Sequence, residues 1–361
     1  MSRTTRVAFA VVAVLLAACG GSPSPSPVVP VVVVREAYVT PPEPASNIDS
    51  PAVWLGGAGE AWVIATGKWT SRLHVYDAAS GTPIGSVGGR GTAPGEFRRP
   101  NGIAVAGDVM FVVERDNARV QALRLPGFEH LGTFGEELLR EPYGIGVLAR
   151  GSTEFDVYVT DDYSRFLGRT PEDGELDERV KRFRVTVTGS GAAAAYLGPF
   201  GDTAGAGRLR KVESLGLDAA AGIVLVADEK ARDVKVYRLD GSFTGRVLGR
   251  GIFAYDPEGI ALYACGAADG YWIVVDQHRT HNRFLVFDRK SFDLIGAFTG
   301  TVVRNTDGIT LIQRPVGSMM AGALYAVHDD RAVGAFSWSD VAAALDLRDD
   351  CITDSAAPSE E

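Results

Sequence analysis

The chain is poor in cysteine, histidine and methionine, with three, five and four in 361 residues. The three cysteines form no close pair and the histidines do not fall at ligand spacing, which argues against a zinc site of thiolate or imidazole type. No GxSxG, HExxH or GxxxxGK[ST] is found, so the sequence has no nucleophile elbow, zincin helix or P-loop. An enzyme built on this chain would have to rely on metal-activated water. No segment carries a sustained helical period; only DVAAALDL, Asp340 to Leu347, reads as a short terminal helix. Positive charge is also in deficit. A net charge of −9 argues against nucleic acid or an anionic membrane surface as the main partner, and it permits cations.

The apolar run Val7 to Leu16 is too short to span a bilayer. Arg3 and Arg6 precede it and Leu16-Ala17-Ala18-Cys19-Gly20 follows, a pattern that resembles a bacterial lipobox. Residues 1–18 are expected to be a lipoprotein signal peptide, with Cys19 lipidated as the mature N-terminus. A Ser/Pro-rich tether, 19–30, follows it. This places the expected protein in the bacterial cell envelope, outside the cytoplasm, held to the membrane through its N-terminal lipid only. Cys265 and Cys351 are left: in an oxidising compartment they can pair and pin the tail 346–361, while Cys265 alone reads equally as a small buried hydrophobe.

What the sequence has in quantity is glycine, 43 residues, and a repeated phrase. Polar residues and a Gly or Pro lead into an alternating apolar strand at DSPAVWL (49–55), RPNGIAV (99–105), EPYGIGV (141–147), VESLGL (212–217), DPEGIALY (256–263) and NTDGITLI (305–312). Second and third strands follow each phrase, and the first five units add a fourth. Short strands at this spacing are the sequence form of propeller blades. The expectation is an all-β, six-bladed β-propeller over 31–345. The strand Val31 to Val39 should close it by completing blade six, which is otherwise one strand short. Tyr163 to Val180 and Gly201 to Arg210 break the rhythm and read as loops on or after blade three.

In such a ring the first strand of each blade lines the channel. The loops entering it and the loops joining second to third strands share one face. This gathers Asp49, Asn101, Tyr143, Glu213, Asp256, Glu258 and Asp307 with Lys68, Glu114, Arg115, Asp161, Asp162, Asp228, Glu229, Asp276 and His328. Crowded carboxylates disfavour one another's ionisation. A hard cation relieves that, and Ca²⁺, with its tolerance for about 6–8 oxygens in irregular geometry, suits the set.

Several phrases resemble the β-propeller phytases. DSPAVW is similar to that family's Asp-Asp-Pro-Ala-Ile-Trp, and TGK followed by LHVYD to its next strand pair. KVESLGLD with LVADEKARDVKVY resembles its Thr-Glu-Gly and Ala-Glu-Glu segments. DPEGIALY through FLVFDR is the strongest stretch, and NTDGITLI resembles Asp-Thr-Asp-Gly-Ile-Asp. Blade two, GTAPGEFRRPNGIAV with VERDNARV, looks as much like an NHL repeat. The resemblance implies a Ca²⁺-dependent phosphomonoesterase acting on a phosphorylated small molecule, phytate or a related ester, as a monomer. It implies metal ligands at Asp49, Glu213, Asp228, Glu229, Asp256, Glu258 and Asp307. Among these Glu213 and Glu258 would be catalytic, with Lys68, Arg115 and Tyr143 at the substrate. Ser50, Val105, Asp162 and Ser214 depart from the family pattern. A non-catalytic propeller binding a protein or glycan, and a gluconolactonase-like hydrolase with one metal, are the other readings of the same chain.

Overall fold

The computed structural model describes residues 29–189 and 191–352; the expected signal peptide, Cys19 and most of the tether lie outside them. Six antiparallel sheets follow one another along the chain as the six phrases predict. Their inner strands are Ile48–Leu55, Pro100–Ala106, Pro142–Ala149, Val212–Asp218, Asp256–Cys265 and Ile309–Ile312. Each is followed outward by its second and third strands, and blades one to five add a fourth from the same stretch of chain.

The sheets face one another around a ring because the second strands are apolar on both sides. Val63, Phe111, Val157, Val224, Ile273 and Leu324, one from each, are fully buried. Six separate apolar clusters result, one at each junction of neighbouring blades. The cluster joining the last blade to the first contains Ile48, Val63 and Tyr76 from blade one and Tyr325, Val327 and Val333 from blade six. This seam is what makes the sheets a closed six-bladed β-propeller, in which only short outer-strand edges stay open. Tyr38 and Tyr325 both donate their hydroxyls across the seam to the Ala78 carbonyl, at 2.8 and 2.9 Å.

The N-terminal strand divides its work between two blades. Tyr38–Val39 pairs antiparallel with Ala332–Ser337 and completes blade six, as expected. Val31–Val33 does not join it; it adds a fifth, parallel strand to blade five beside Leu294–Thr299. Glu36 is the cause of the break. Its carboxylate turns inward and accepts hydrogen bonds from the amides of Val302 (2.9 Å) and Val303 (2.8 Å) and from Thr301, in the connection between blades five and six. An unbroken strand from 31 to 39 would leave these amides without that acceptor.

The irregular stretches also fall where the sequence puts them. Residues 162–179 link the second and third strands of blade three and include the short helix Ser164–Leu167, and 201–211 leads into blade four. The terminal helix is Trp338–Leu345, two residues earlier than the sequence suggests, because it continues directly from the outer strand of blade six. Cys265 and Cys351 are disulfide-bonded, which resolves the two readings of Cys265 and fastens the tail to the lower turn of blade five.

Candidate functional site

Each of the first five inner strands slips register once, at the same place near its start: Ile48/Pro51, Pro100/Ile103, Pro142/Ile145, Val212/Leu215 and Pro257/Ile260. A β-bulge re-aims the side chains it carries, and bulges recur beside functional sites. Here the slips hold the pairs Asp49-Ser50, Asn101-Gly102, Tyr143-Gly144, Glu213-Ser214 and Glu258-Gly259, with Asp307-Gly308 in the equivalent place before the sixth strand. The small members line a narrow waist of the channel, of about 60 Å³. They must be small: a Cβ on Gly144 would lie 2.1 Å from the Glu213 carbonyl oxygen, and one on Gly308 2.7 Å from that of Asp49. The polar members form a ring at one end of the channel. Hydroxyls of the second strands brace it, Thr66 donating to the Asn101 carbonyl and Thr160 to that of Glu213, both at 2.7 Å. Beyond the waist the channel is walled by Val53, Val105, Val147, Leu217, Leu262 and Leu311.

The ring has two halves. In one, Glu213, Glu229 and Glu258 bring carboxylate oxygens within 4.8 Å of one another. Lys211 pairs with Glu229 and lies 3.5 Å from Glu213, while the second oxygen of Glu229 is buried without a partner among the described residues. Burial and the Glu229 charge push the Glu213 carboxyl well above the usual range, against the pull of Lys211. Burial, then Glu213, Glu229 and Asp307, push Glu258 the same way. In the other half Lys68 lies 2.5 Å from Asp49 and 3.8 Å from Asp307. Its ammonium donates to the Tyr143 hydroxyl, which donates in turn to Asp49, both at 3.3 Å. Burial disfavours the charge of Lys68, but Asp49 and Asp307 outweigh it and hold the group protonated. Gln277 donates to Asp307.

The expected site residues therefore divide. Glu213, Glu229 and Glu258 converge, and so do Asp49, Lys68, Tyr143 and Asp307. Asp256 lines a cavity of about 830 Å³ that opens beside Lys68 and Asp307. Asp228 belongs elsewhere: it is fully buried, and its carboxylate accepts from the amides of Arg210 (3.0 Å), Lys211 (3.3 Å) and Ala231 (3.1 Å), with Lys235 3.6 Å away. Glu114, Asp161 and Asp276 do the same in blades two, three and five, each binding an entry-loop amide and a cation on the third strand. These four acids are a structural repeat. Arg115 is drawn to Asp116 at 3.0 Å rather than to the ring. Sequence reading passed over Lys211, which lies just before the fourth inner strand and two residues from Glu213.

No family model matches the sequence, and no curated protein matches it. Among solved structures the chain is similar to one from a crystal structure of a nidogen/laminin complex, at 15% identity and a TM-score of 0.50. The match covers 74% of this chain and 85% of that one. The likeness is one of fold. It agrees with the propeller seen here.

Proposed function

We propose that the protein is a Ca²⁺-dependent phosphomonoesterase of the β-propeller phytase type. The observation that carries this reading is the convergence of two buried carboxylates, Glu229 and Glu258, with the partly buried Glu213, one Glu229 oxygen being unpartnered among the described residues, beside an Asp–Lys–Tyr cluster in the same channel mouth. An oxygen-only donor set of this charge fits a hard cation and offers nothing to a soft one. Glu213, Glu229 and Glu258 would hold Ca²⁺, with Asp49, Asp256 and Asp307 around them. When bound, Ca²⁺ supplies Lewis acidity toward water and phosphate and offsets the phosphate charge.

The chain's own groups do the rest. Lys68, kept charged by its two aspartates, faces the cavity and offers a cation to a phosphate oxygen. Tyr143 stays protonated, because burial and the surrounding acids push its hydroxyl well above the usual range. It would donate to the same group on giving up its bond to Asp49. The expected lipid anchor at Cys19 and the envelope location belong to this proposal too. The Cys265–Cys351 bond supports an oxidising compartment.

Phosphate release from phytate by the full chain, with Ca²⁺ and with a chelator, is the test. Release that requires Ca²⁺ and falls in Glu213→Gln supports the reading. A protein that binds Ca²⁺ and releases no phosphate would move the chain to the class of non-catalytic binding propellers. Incorporation of labelled fatty acid, lost in Cys19→Ala, tests the anchor.

A further inference from the structure

Neighbouring blades are tied to one another at the end of the molecule remote from the ring. Trp54 of blade one donates its indole N–H to Asp108 of blade two at 2.9 Å. Tyr158 of blade three donates to the Leu239 carbonyl of blade four at 3.0 Å. Arg289 of blade five holds Asp218 of blade four through two bonds of 2.7 Å. Gln313 of blade six donates to the Ala264 carbonyl of blade five and accepts from its amide, both at 2.8 Å. The two tyrosines on Ala78 do the same between blades six and one. The junction of blades two and three differs: here the sheets part around a groove of about 930 Å³.

The floor of the groove is the end of the apolar cluster between the two blades. Val109 comes from one side, Phe155 and Val187 from the other, and all three are buried. Arg124 of blade two reaches across to the Thr188 carbonyl of blade three at 3.1 Å. It is half-buried and forms no ion pair among the described residues. The other charged groups at the rim are turned away. Asp108 faces blade one, where it accepts from Trp54. Arg150 is drawn to Asp156 at 2.6 Å. Asp156 shares its strand face with Tyr158, which points to blade four. An apolar floor and one unopposed positive charge remain, in a volume within the range of about 300–1,000 Å³ typical of small-molecule sites.

We propose that this groove is a second ligand site, for a small organic anion with an apolar body: an aryl or branched alkyl carboxylate or sulfonate. The apolar body covers Val109, Phe155 and Val187, which removes their remaining surface and its own from water. One nitrogen of the Arg124 guanidinium holds Thr188, and the rest of its planar fork faces the anionic group in a charge-assisted contact. The site lies at the opposite end of the propeller from the carboxylate ring and does not depend on how the ring is read.

The test titrates the full chain with anilinonaphthalene sulfonate in chelator, so that Ca²⁺ plays no part. The bound dye is then displaced with phenylbutyrate or with its uncharged counterpart, phenylbutanol. Wild type should give a saturable rise in fluorescence and prefer the carboxylate over the alcohol by about tenfold, one charge-assisted contact's worth. Arg124→Gln should bind the two alike. Ala149→Trp, on the strand face of Val147 at the edge of the groove, should weaken both. Neither variant changes a fully buried side chain, and a thermal melt checks that each is folded. No saturable binding by wild type, equal affinity for acid and alcohol, or a preference that survives in Arg124→Gln overturns the proposal. Dimers that Ala149→Trp breaks apart would give the groove to a second copy of the chain and overturn it equally.

Discussion

Removing one charge from the carboxylate ring should make the metal-free protein more stable. The perturbation is Glu258→Gln. Its side chain keeps size and polarity, and its position at the bulge is set by the backbone. With carboxylate oxygens within 4.8 Å, each fully ionised pair in the Glu213–Glu229–Glu258 group repels by about 3.5 kcal/mol at an effective dielectric of about 20. The protein escapes part of this by retaining protons and part through Lys211. The net gain expected at neutral pH is therefore about 1–3 kcal/mol, or roughly 2–6 °C in melting temperature for a chain of this size. The sign with pH follows from the raised carboxyl values of Glu213, Glu258 and Asp307. A folded state that holds these protons more tightly than the unfolded chain is favoured at low pH and loses that advantage as pH rises through the folded values. The gain from Glu258→Gln should thus be full at pH 8 and fade toward pH 4. If the ring holds Ca²⁺ as proposed, the order should reverse in its presence, because wild type would gain binding energy that the variant loses. Thermal melts of both proteins, in chelator and in Ca²⁺ at the two pH values, give the answer. A variant that melts below wild type in chelator at pH 8 would refute the claim that these acids repel. A variant with the full Ca²⁺ shift would remove Glu258 from the ligand set.

Three other outcomes are expected. Asp228→Asn should lower stability by about 1–3 kcal/mol in urea denaturation while leaving the Ca²⁺ shift, since its carboxylate serves loop amides; Glu229→Gln should do the reverse. Reducing the Cys265–Cys351 bond, or Cys351→Ser, should cost up to about 4–5 kcal/mol for a loop spanning 86 residues, read as a lower urea midpoint. Glu36→Gln should destabilise by about 1.5–3 kcal/mol, the value of hydrogen bonds to a charged acceptor. Burial pushes the Glu36 carboxyl up, but its bonds from Thr301, Val303 and Val302 outweigh that and hold it below its usual value. Its contribution should accordingly be present at neutral pH and be lost as pH falls through that lowered value, so the variant's deficit shrinks in acid.

The sheet order and most of the ring were legible because they are periodic. Six phrases, each with a polar-small pair near its start, mark six inner strands, and in the first five the pair falls at a register slip. What was not legible depends on side-chain direction at single positions. Asp228 and Glu229 are neighbours in a turn, and nothing in the sequence says that the first faces the entry-loop amides and the second the channel. VVVVREAYV reads as one strand because its apolar run is continuous on both sides of Arg35 and Glu36. The division between blades comes from amides 265 residues away that Glu36 accepts. Arg115 looks like a channel cation by position, and a neighbouring acid, Asp116, turns it aside.

The clasp at Glu36 also sets an order of events during synthesis. Val31–Val33 and Tyr38–Val39 emerge among the first parts of the propeller, yet their partners at 297–299 and 334–335 are among the last. Until then both strands wait with open edges, while blades one to four can pair within themselves as they appear. Closing such a long loop is entropically slow. A nascent chain stopped short of residue 297 would therefore hold folded early blades and two unpaired N-terminal strands, each a template for pairing with another chain.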